Sequence, residues 1–266
     1  MIEALALAVA AAAAADAGPW ELLAPGLELG TFKGPAAPHG DAKIRALRVD
    51  PKLYDLRLVS AGAEGEGAPR TAKAWAKRAG GVAAINPSMF KPDGKSVSLF
   101  RTKGHLGNPR LTRDKSVLVF GPRRAGLAAM RLLDRECDDV PALLEQYESA
   151  VQSIRMVSCT GKNTWAPQAR RWSAAAIGQD KQGRLLLLHV RSAYTMHELV
   201  DALLALPLGL LRLMYVEGGP EATLYIGVPG RELQLIGSYE TGFYELDDNA
   251  GAWPLPNALV VVRRQQ

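Results

Sequence analysis

Little in this chain is available for metal or redox chemistry. Its 266 residues include two cysteines, Cys137 and Cys159, and four histidines, His39, His105, His189 and His197. Two cysteines allow one bridge at most, and the histidines lack the paired spacing of a zinc signature, so neither a metal nor a cofactor is expected. Cys137 stands in Asp134-Arg135-Glu136-Cys137-Asp138-Asp139, where negative charge raises a thiol pKa and makes a poor nucleophile. Aromatic residues are 6% of the chain, and its net charge of +5 is spread over pairs such as Arg123-Arg124, Arg170-Arg171 and Arg263-Arg264. Without a basic stripe or stacking aromatics, nucleic acid is not an expected partner. The excess suits an anionic small molecule or polymer, or simply keeps the protein soluble. Charges interrupt every apolar stretch beyond residue 15, so no transmembrane span is expected. No internal repeat and no dividing linker is visible, and the oligomeric state is not written in the sequence.

What is present suits a globular protein. Hydrophobic residues make up 48% and charged residues 22%, enough for a sizeable core. Residues 1–15 form an alanine-rich apolar run with one charge, Glu3. It is too short to cross a bilayer and reads as the apolar region of a secretory signal, with a cut near Ala15 or Ala17; a plain helix start is the alternative. The expected division is a signal peptide at 1–17, an opening segment at 18–42 with at most one strand, and one domain at 43–264. Secretion or a periplasmic location follows. In that setting a Cys137–Cys159 bridge adds about 3 kcal/mol.

Alternation over 43–49 and 54–58 predicts two half-buried strands joined through Asp50-Pro51. Ala72, Trp75, Ala76 and Ala79 lie at helical spacing and stop at Gly80-Gly81. Residues 173–179 and 184–191, joined by Asp180-Lys181-Gln182-Gly183, make the clearest hairpin. Thr195-Met196-His197-Glu198 is a capping box that opens a helix with Leu199, Val200, Leu203 and Leu204 on one face. The loop at 158–168 reads as mobile. Together these predict an α+β fold: a mixed, mostly antiparallel β-sheet core with a few packed helices, in a single domain.

Two strand ends carry chemistry. The apolar run 210–216 drives into Glu217-Gly218-Gly219-Pro220-Glu221. A carboxylate beside two glycines presents an acid at the mouth of a cleft, with the Gly218 and Gly219 N–H groups able to face an anion. An ordinary turn with a solvated Glu217 explains the same residues. The short strand 82–85 ends at Asn86-Pro87, where an amide can both donate to and accept from a bound hydroxyl or phosphate. Arg155 alternates with Ile154 and Met156, either facing solvent or pointing into a cleft that needs an anionic partner.

Ile85-Asn86-Pro87-Ser88-Met89-Phe90, the strand and turn 173–183, the helix 195–206 and Val216-Glu217-Gly218-Gly219-Pro220-Glu221-Ala222 occur in the order of the phosphodiester glycosidase family. They resemble its Asn-Gly-Gly-Phe-Phe turn, Arg-Thr-Ala-Ile-Gly strand, following helix and Leu-Asp-Gly-Gly-Gly-Ser signature. The likeness runs from about residue 43 to 262. It departs where Glu217 replaces the signature aspartate, Glu221 its serine and Ala174 the motif arginine, which leaves Arg155 or Arg171 to serve. The resemblance implies cleavage of the sugar–phosphate bond of glycosyl phosphodiesters such as N-acetylglucosamine-1-phosphodiesters. Glu217 is then base or nucleophile, Glu221 or Glu240 the second carboxylate, and Asn86, Arg155, Arg171, Gly218 and Gly219 hold the substrate. A non-catalytic envelope module that binds anionic glycans is the alternative. It predicts a shallow basic face and Glu217 in a structural salt bridge.

Overall fold

Three alanines and four leucines determine the middle of the fold. Along 174–177 and 185–188 successive side chains enter opposite layers. Ala175, Ile177, Leu185 and Leu187 pack into one core; Ala174, Ala176, Leu186 and Leu188 pack into another. Strands covered on both faces have no need of polar alternation, and each leucine so enclosed contributes roughly 1.5–3 kcal/mol.

The computed structural model describes residues 19–63, 65 and 67–265; the expected signal peptide lies outside them. In chain order the elements are β1 (Trp20–Ala24), β2 (Leu27–Lys33), β3 (Lys43–Val49), β4 (Tyr54–Ser60), α1 (Ala72–Ala79), β5 (Ala83–Ile85), β6 (Phe100–Thr102) and β7 (His105–Asn108). Then come β8 (Ser116–Pro122), β9 (Met130–Asp134), α2 (Val140–Leu144), β10 (Tyr147–Val157), β11 (Trp172–Asp180), β12 (Leu185–Tyr194) and α3 (Met196–Ala205). β13 (Leu210–Gly218), a 3-10 turn (Gly219–Glu221), β14 (Thr223–Val228), β15 (Arg231–Ile236) and β16 (Asn257–Arg263) complete the chain.

Eleven strands form one sheet, ordered β1-β2-β3-β12-β11-β13-β10-β6-β7, with β8 also on β10 and β9 on β8. Five form a second, ordered β15-β14-β5-β16-β4. The sheets bury a shared core, to which Leu47, Leu187 and Met214 come from the large sheet and Ile85, Leu224 and Leu259 from the small one. α3 covers the outer face of the large sheet through Met196, Leu199, Val200 and Leu203. α1 covers the small sheet through Trp75, whose indole N–H donates to the Leu255 carbonyl at 2.9 Å.

The sequence expectation is met in outline and corrected in balance. With 46% strand and 11% helix the fold is mainly β, and all the paired strands described are antiparallel rather than mixed. The expected hairpin, capping box and Gly80 helix stop are all present. The opening segment holds two strands, and β2 pairs with β3 along its whole length. α2 is only five residues long, because Tyr147 already belongs to β10.

The loop 158–168 is tied down at three points. Cys159 is bonded to Cys137 with their Cα atoms 6.5 Å apart. Asn163 donates to the His197 carbonyl at 3.0 Å and to Asp201 at 2.8 Å, and the Thr164 hydroxyl donates to the Arg155 carbonyl at 2.8 Å. The Cys137→Ser/Cys159→Ser double variant should lose about 3 kcal/mol in urea unfolding. A loss under 1 kcal/mol would show that the hydrogen bonds alone hold this loop.

Candidate active site

β13 leaves the large sheet at Glu217-Gly218-Gly219-Pro220-Glu221-Ala222, and the chain re-emerges in the small sheet as β14. Just before the crossing β13 bulges. Ala176 of β11 faces Tyr215 and Ala175 faces Glu217, so Val216 has no residue opposite it. A bulge re-aims the side chain that follows it.

Glu217 is 8% exposed, and its Oε1 accepts the Gly218 N–H at 3.1 Å. Burial foremost, then the Glu221 charge and more weakly that of Glu240, hold its pKa well above the usual carboxylate range. Glu221 and Glu240 are half-buried. Burial raises both, and Glu240 raises Glu221 further. Against this, the Arg170 guanidinium draws Glu240 downward; Arg170 is placed by a 3.0 Å bond to the Thr241 carbonyl. The three acids singled out in the sequence therefore meet, and one of them has a cation beside it.

The two glycines are required by close approach. A Cβ on Gly218 would stand 2.3 Å from the Tyr215 hydroxyl and 2.5 Å from the Trp172 ring. Gly219 has φ +59°, and its Cβ would stand 2.4 Å from a Glu240 carboxylate oxygen. What crowds the glycines is thus the protein's own aromatic and acidic side chains. The Gly218 N–H, expected to face an anion, is occupied by Glu217.

Around the acids stand Trp165, Trp172 and Tyr215, with ring centroids 5.7–6.5 Å apart. Burial and the neighbouring glutamates push the Tyr215 hydroxyl well above its usual pKa. The Trp172 indole N–H beside it makes no well-aligned hydrogen bond among the described residues. Met89 packs into the same layer as these rings, which brings the 86–90 turn to the acid corner. Asn86 is 1% exposed; its Oδ1 accepts the Thr223 N–H at 3.0 Å, while its Nδ2 finds no partner among the described residues. A buried amide donor left open in this way calls for an explanation, and a bound acceptor is one.

Arg191 of β12 secures the segment that carries Glu240. It binds Asp247 and the carbonyls of Ile236, Asp247 and Asn249. The two arginines chosen from sequence stand elsewhere. Arg155 is held by Asp134 at 2.8 Å and by Glu136 at 2.7 Å. Arg171 forms a two-pronged pair with Glu198 at 2.7 and 3.0 Å. Asp134 also accepts the Glu136 and Cys159 N–H groups. Its burial would raise its pKa, and these donors together with Arg155 bring it below the usual range. Asp134, Cys137 and Cys159 have metal-like proximity, but the two sulfurs are bonded to each other. Tyr215, Trp172 and Arg170 were not legible as site residues. A bulge breaks the two-residue period that would tie Tyr215 to Glu217, and nothing in Arg170-Arg171 separates the two arginines.

The sequence profile of the phosphodiester glycosidase (NAGPA) family matches residues 79–262. The chain belongs to the phosphodiester glycosidase family. No curated protein matches it by sequence. Among solved structures it is similar to the catalytic domain of zebrafish N-acetylglucosamine-1-phosphodiester α-N-acetylglucosaminidase, auto-inhibited by its pro-peptide. That likeness has a TM-score of 0.65 and 14% identity, over 92% of this chain and 86% of that one. A hypothetical protein from Synechocystis follows at TM-score 0.61 and 12% identity, over 94% of this chain and 65% of that one. A Burkholderia pseudomallei protein described as exported gives 0.55 and 11%, over 83% and 74%. At such identities these likenesses carry the fold of this phosphodiester glycosidase family member.

Gly219→Ala should cost about 1–3 kcal/mol of stability, because the residue is left-handed and its new methyl displaces Glu240. If the Glu217–Glu240 approach matters for turnover, kcat should fall further than that loss of folded protein explains. Urea unfolding and steady-state kinetics on one preparation separate the two.

Proposed function

We propose that the protein is an exported hydrolase that cleaves the sugar–phosphate bond of a glycosyl phosphodiester. The observation that carries the reading is the meeting of three carboxyl groups at one corner in unequal surroundings, Glu217 buried and Glu221 and Glu240 half-buried, a setting that can separate a catalytic acid from a base. Glu217, enclosed and next to two acids, has its pKa held well above the usual carboxylate range, which suits a proton donor. Burial raises Glu240 as well, but the Arg170 guanidinium draws it back down, which suits a base. This reverses the role expected from sequence, in which Glu217 was base or nucleophile.

In the proposed reaction the bond between the sugar C1 and the phosphate oxygen breaks, and its electron pair leaves with that oxygen. Glu217 protonates or hydrogen-bonds the departing oxygen, which is already a good leaving group because the product phosphate monoester has a second pKa of about 6. Glu240 takes a proton from water as the water oxygen bonds C1, or attacks C1 itself before water releases the sugar. The open Nδ2 of Asn86 donates to a sugar hydroxyl or phosphoryl oxygen, and Arg170 is the cation within reach of the charge that develops.

The binding-module reading required Glu217 in a salt bridge. A Glu217 carboxyl oxygen instead accepts the Gly218 N–H, and the group meets no cation among the described residues. Export is supported by the disulfide, which persists in oxidising compartments, and by the apolar leader in the sequence. Among the described residues no helix is long and apolar enough to cross a membrane.

A panel of glycosyl phosphate diesters tests the reading through kcat/KM against pH. A bell-shaped profile is expected, with Glu240 on its acid limb and Glu217 on its alkaline limb. Glu217→Gln should lower kcat by roughly 10²- to 10⁴-fold and remove the alkaline limb. Glu240→Gln should remove the acid limb. No turnover across the panel, or Glu217→Gln with full activity, would overturn the proposal.

Stability gives an independent check. Glu217's pKa is raised on folding, so its contribution is full below the ordinary carboxylate value and is lost as pH rises through the raised value. Glu217→Gln should therefore flatten the decline in Tm between acid and mildly alkaline pH. An unchanged slope would show that Glu217 is ionised throughout.

A further inference from the structure

Behind the acid corner lies a second concave site, which the proposed reaction does not use. β3 and β12 are paired with Arg45 opposite His189. Residues two apart on a strand share a face, so Lys43 and Arg45 align with His189 and Arg191. With Asp41 and with Gln234 of β15 they line a cleft of about 210 Å³ between the two sheets. A molecule of liquid water occupies roughly 30 Å³, so there is room for a phosphate group and several waters.

The cleft's charges are unevenly committed. Arg191 is taken up by Asp247 and three carbonyls. Arg45 meets Asp41 only at 3.6 Å, a long contact that leaves guanidinium donors for another acceptor. The Lys43 ammonium forms no ion pair among the described residues, and Asp41 spends its other oxygen on the Lys43 backbone N–H at 3.0 Å. His189 closes the floor. It is 2% exposed, and its Nε2 lies 3.3 Å from the carbonyl of Ala222, the residue that follows Glu221.

The geometry points to a phosphate-binding site in this cleft, with Lys43 and Arg45 holding the anion and His189 seated between it and the acid corner. Two cations short of partners, facing one side of a cleft that Arg191 keeps rigid, suit a compact anion of charge near two. The phosphoryl group is either free phosphate or the far end of a phosphorylated sugar. His189 reports on occupancy: burial, first among the causes, lowers its pKa to about 4, and a bound anion favours the imidazolium and moves that value up. The inference does not depend on the proposed catalysis, because it concerns binding alone.

The test is calorimetric titration of the full chain at low ionic strength, with inorganic phosphate and separately with glucose 1-phosphate. Saturable binding is expected, about tenfold weaker in Lys43→Ala and in Arg45→Gln, and unchanged in the control Lys52→Ala. Arg45→Lys, which keeps the charge, should recover most of the Arg45→Gln loss. The His189 ring signals in proton NMR should titrate at higher pH when phosphate is present. Binding of inorganic phosphate identifies a free-anion site; binding of the sugar phosphate alone identifies a substrate-borne one. Absence of saturable binding by either, or wild-type affinity in both the Lys43→Ala and Arg45→Gln variants, overturns the inference.

Discussion

A carboxyl group held out of water beside two others is a standing source of instability. Its ionised form is opposed both by the missing solvent and by like charge. Glu217 is in that position, and the rest of the molecule is what keeps it there. The bulge at Val216 aims it, and the pairing of β11 with both β12 and β13 makes the underlying sheet hard to deform. Gly218 and Gly219 let Tyr215, Trp172 and Glu240 approach more closely than any side chain would allow.

The second layer of support is polar. Asn86 fixes the far end of the acid corner through the Thr223 N–H, and the Ala222 carbonyl, which faces His189, also accepts the Gly237 N–H at 2.7 Å. Arg191 holds the segment after β15, so Glu240 reaches Glu217 from a part of the chain with no strand pairing of its own for most of its length. Local strain at a functional corner persists only when its surroundings over-determine it. Here both sheets and the half-buried Arg191 do so. The large ion-pair group of Asp134, Glu136 and Arg155 has a different role: beside the disulfide it anchors the loop that carries Trp165.

Much of the scaffold was legible because its signals are local. The capping box needs only Thr195 and Glu198 three residues apart, and the Gly80 stop and the Asp180–Gly183 turn depend on backbone conformations that few residues adopt. The acids at 217 and 221 and the amide at 86 could be noticed because each ends an apolar run. Which arginine accompanies them could not, since Arg155, Arg170 and Arg171 differ in nothing that neighbouring residues record. The choice falls to Arg170 because Arg155 and Arg171 find acidic partners that are distant in sequence, Asp134 and Glu198.

By itself the sequence determined several of the strands, the helix caps, the presence of an acid–glycine corner and the family, since periodicity, turn chemistry and motif order are properties of contiguous residues. Only the tertiary structure decided that β1 and β2 belong to the sheet and that Tyr215 and Trp172 wall the acids. It also decided that Glu217 is the enclosed carboxyl rather than the open one. Burial and the distance between charges are set by segments far apart along the chain, and proton affinity depends on both.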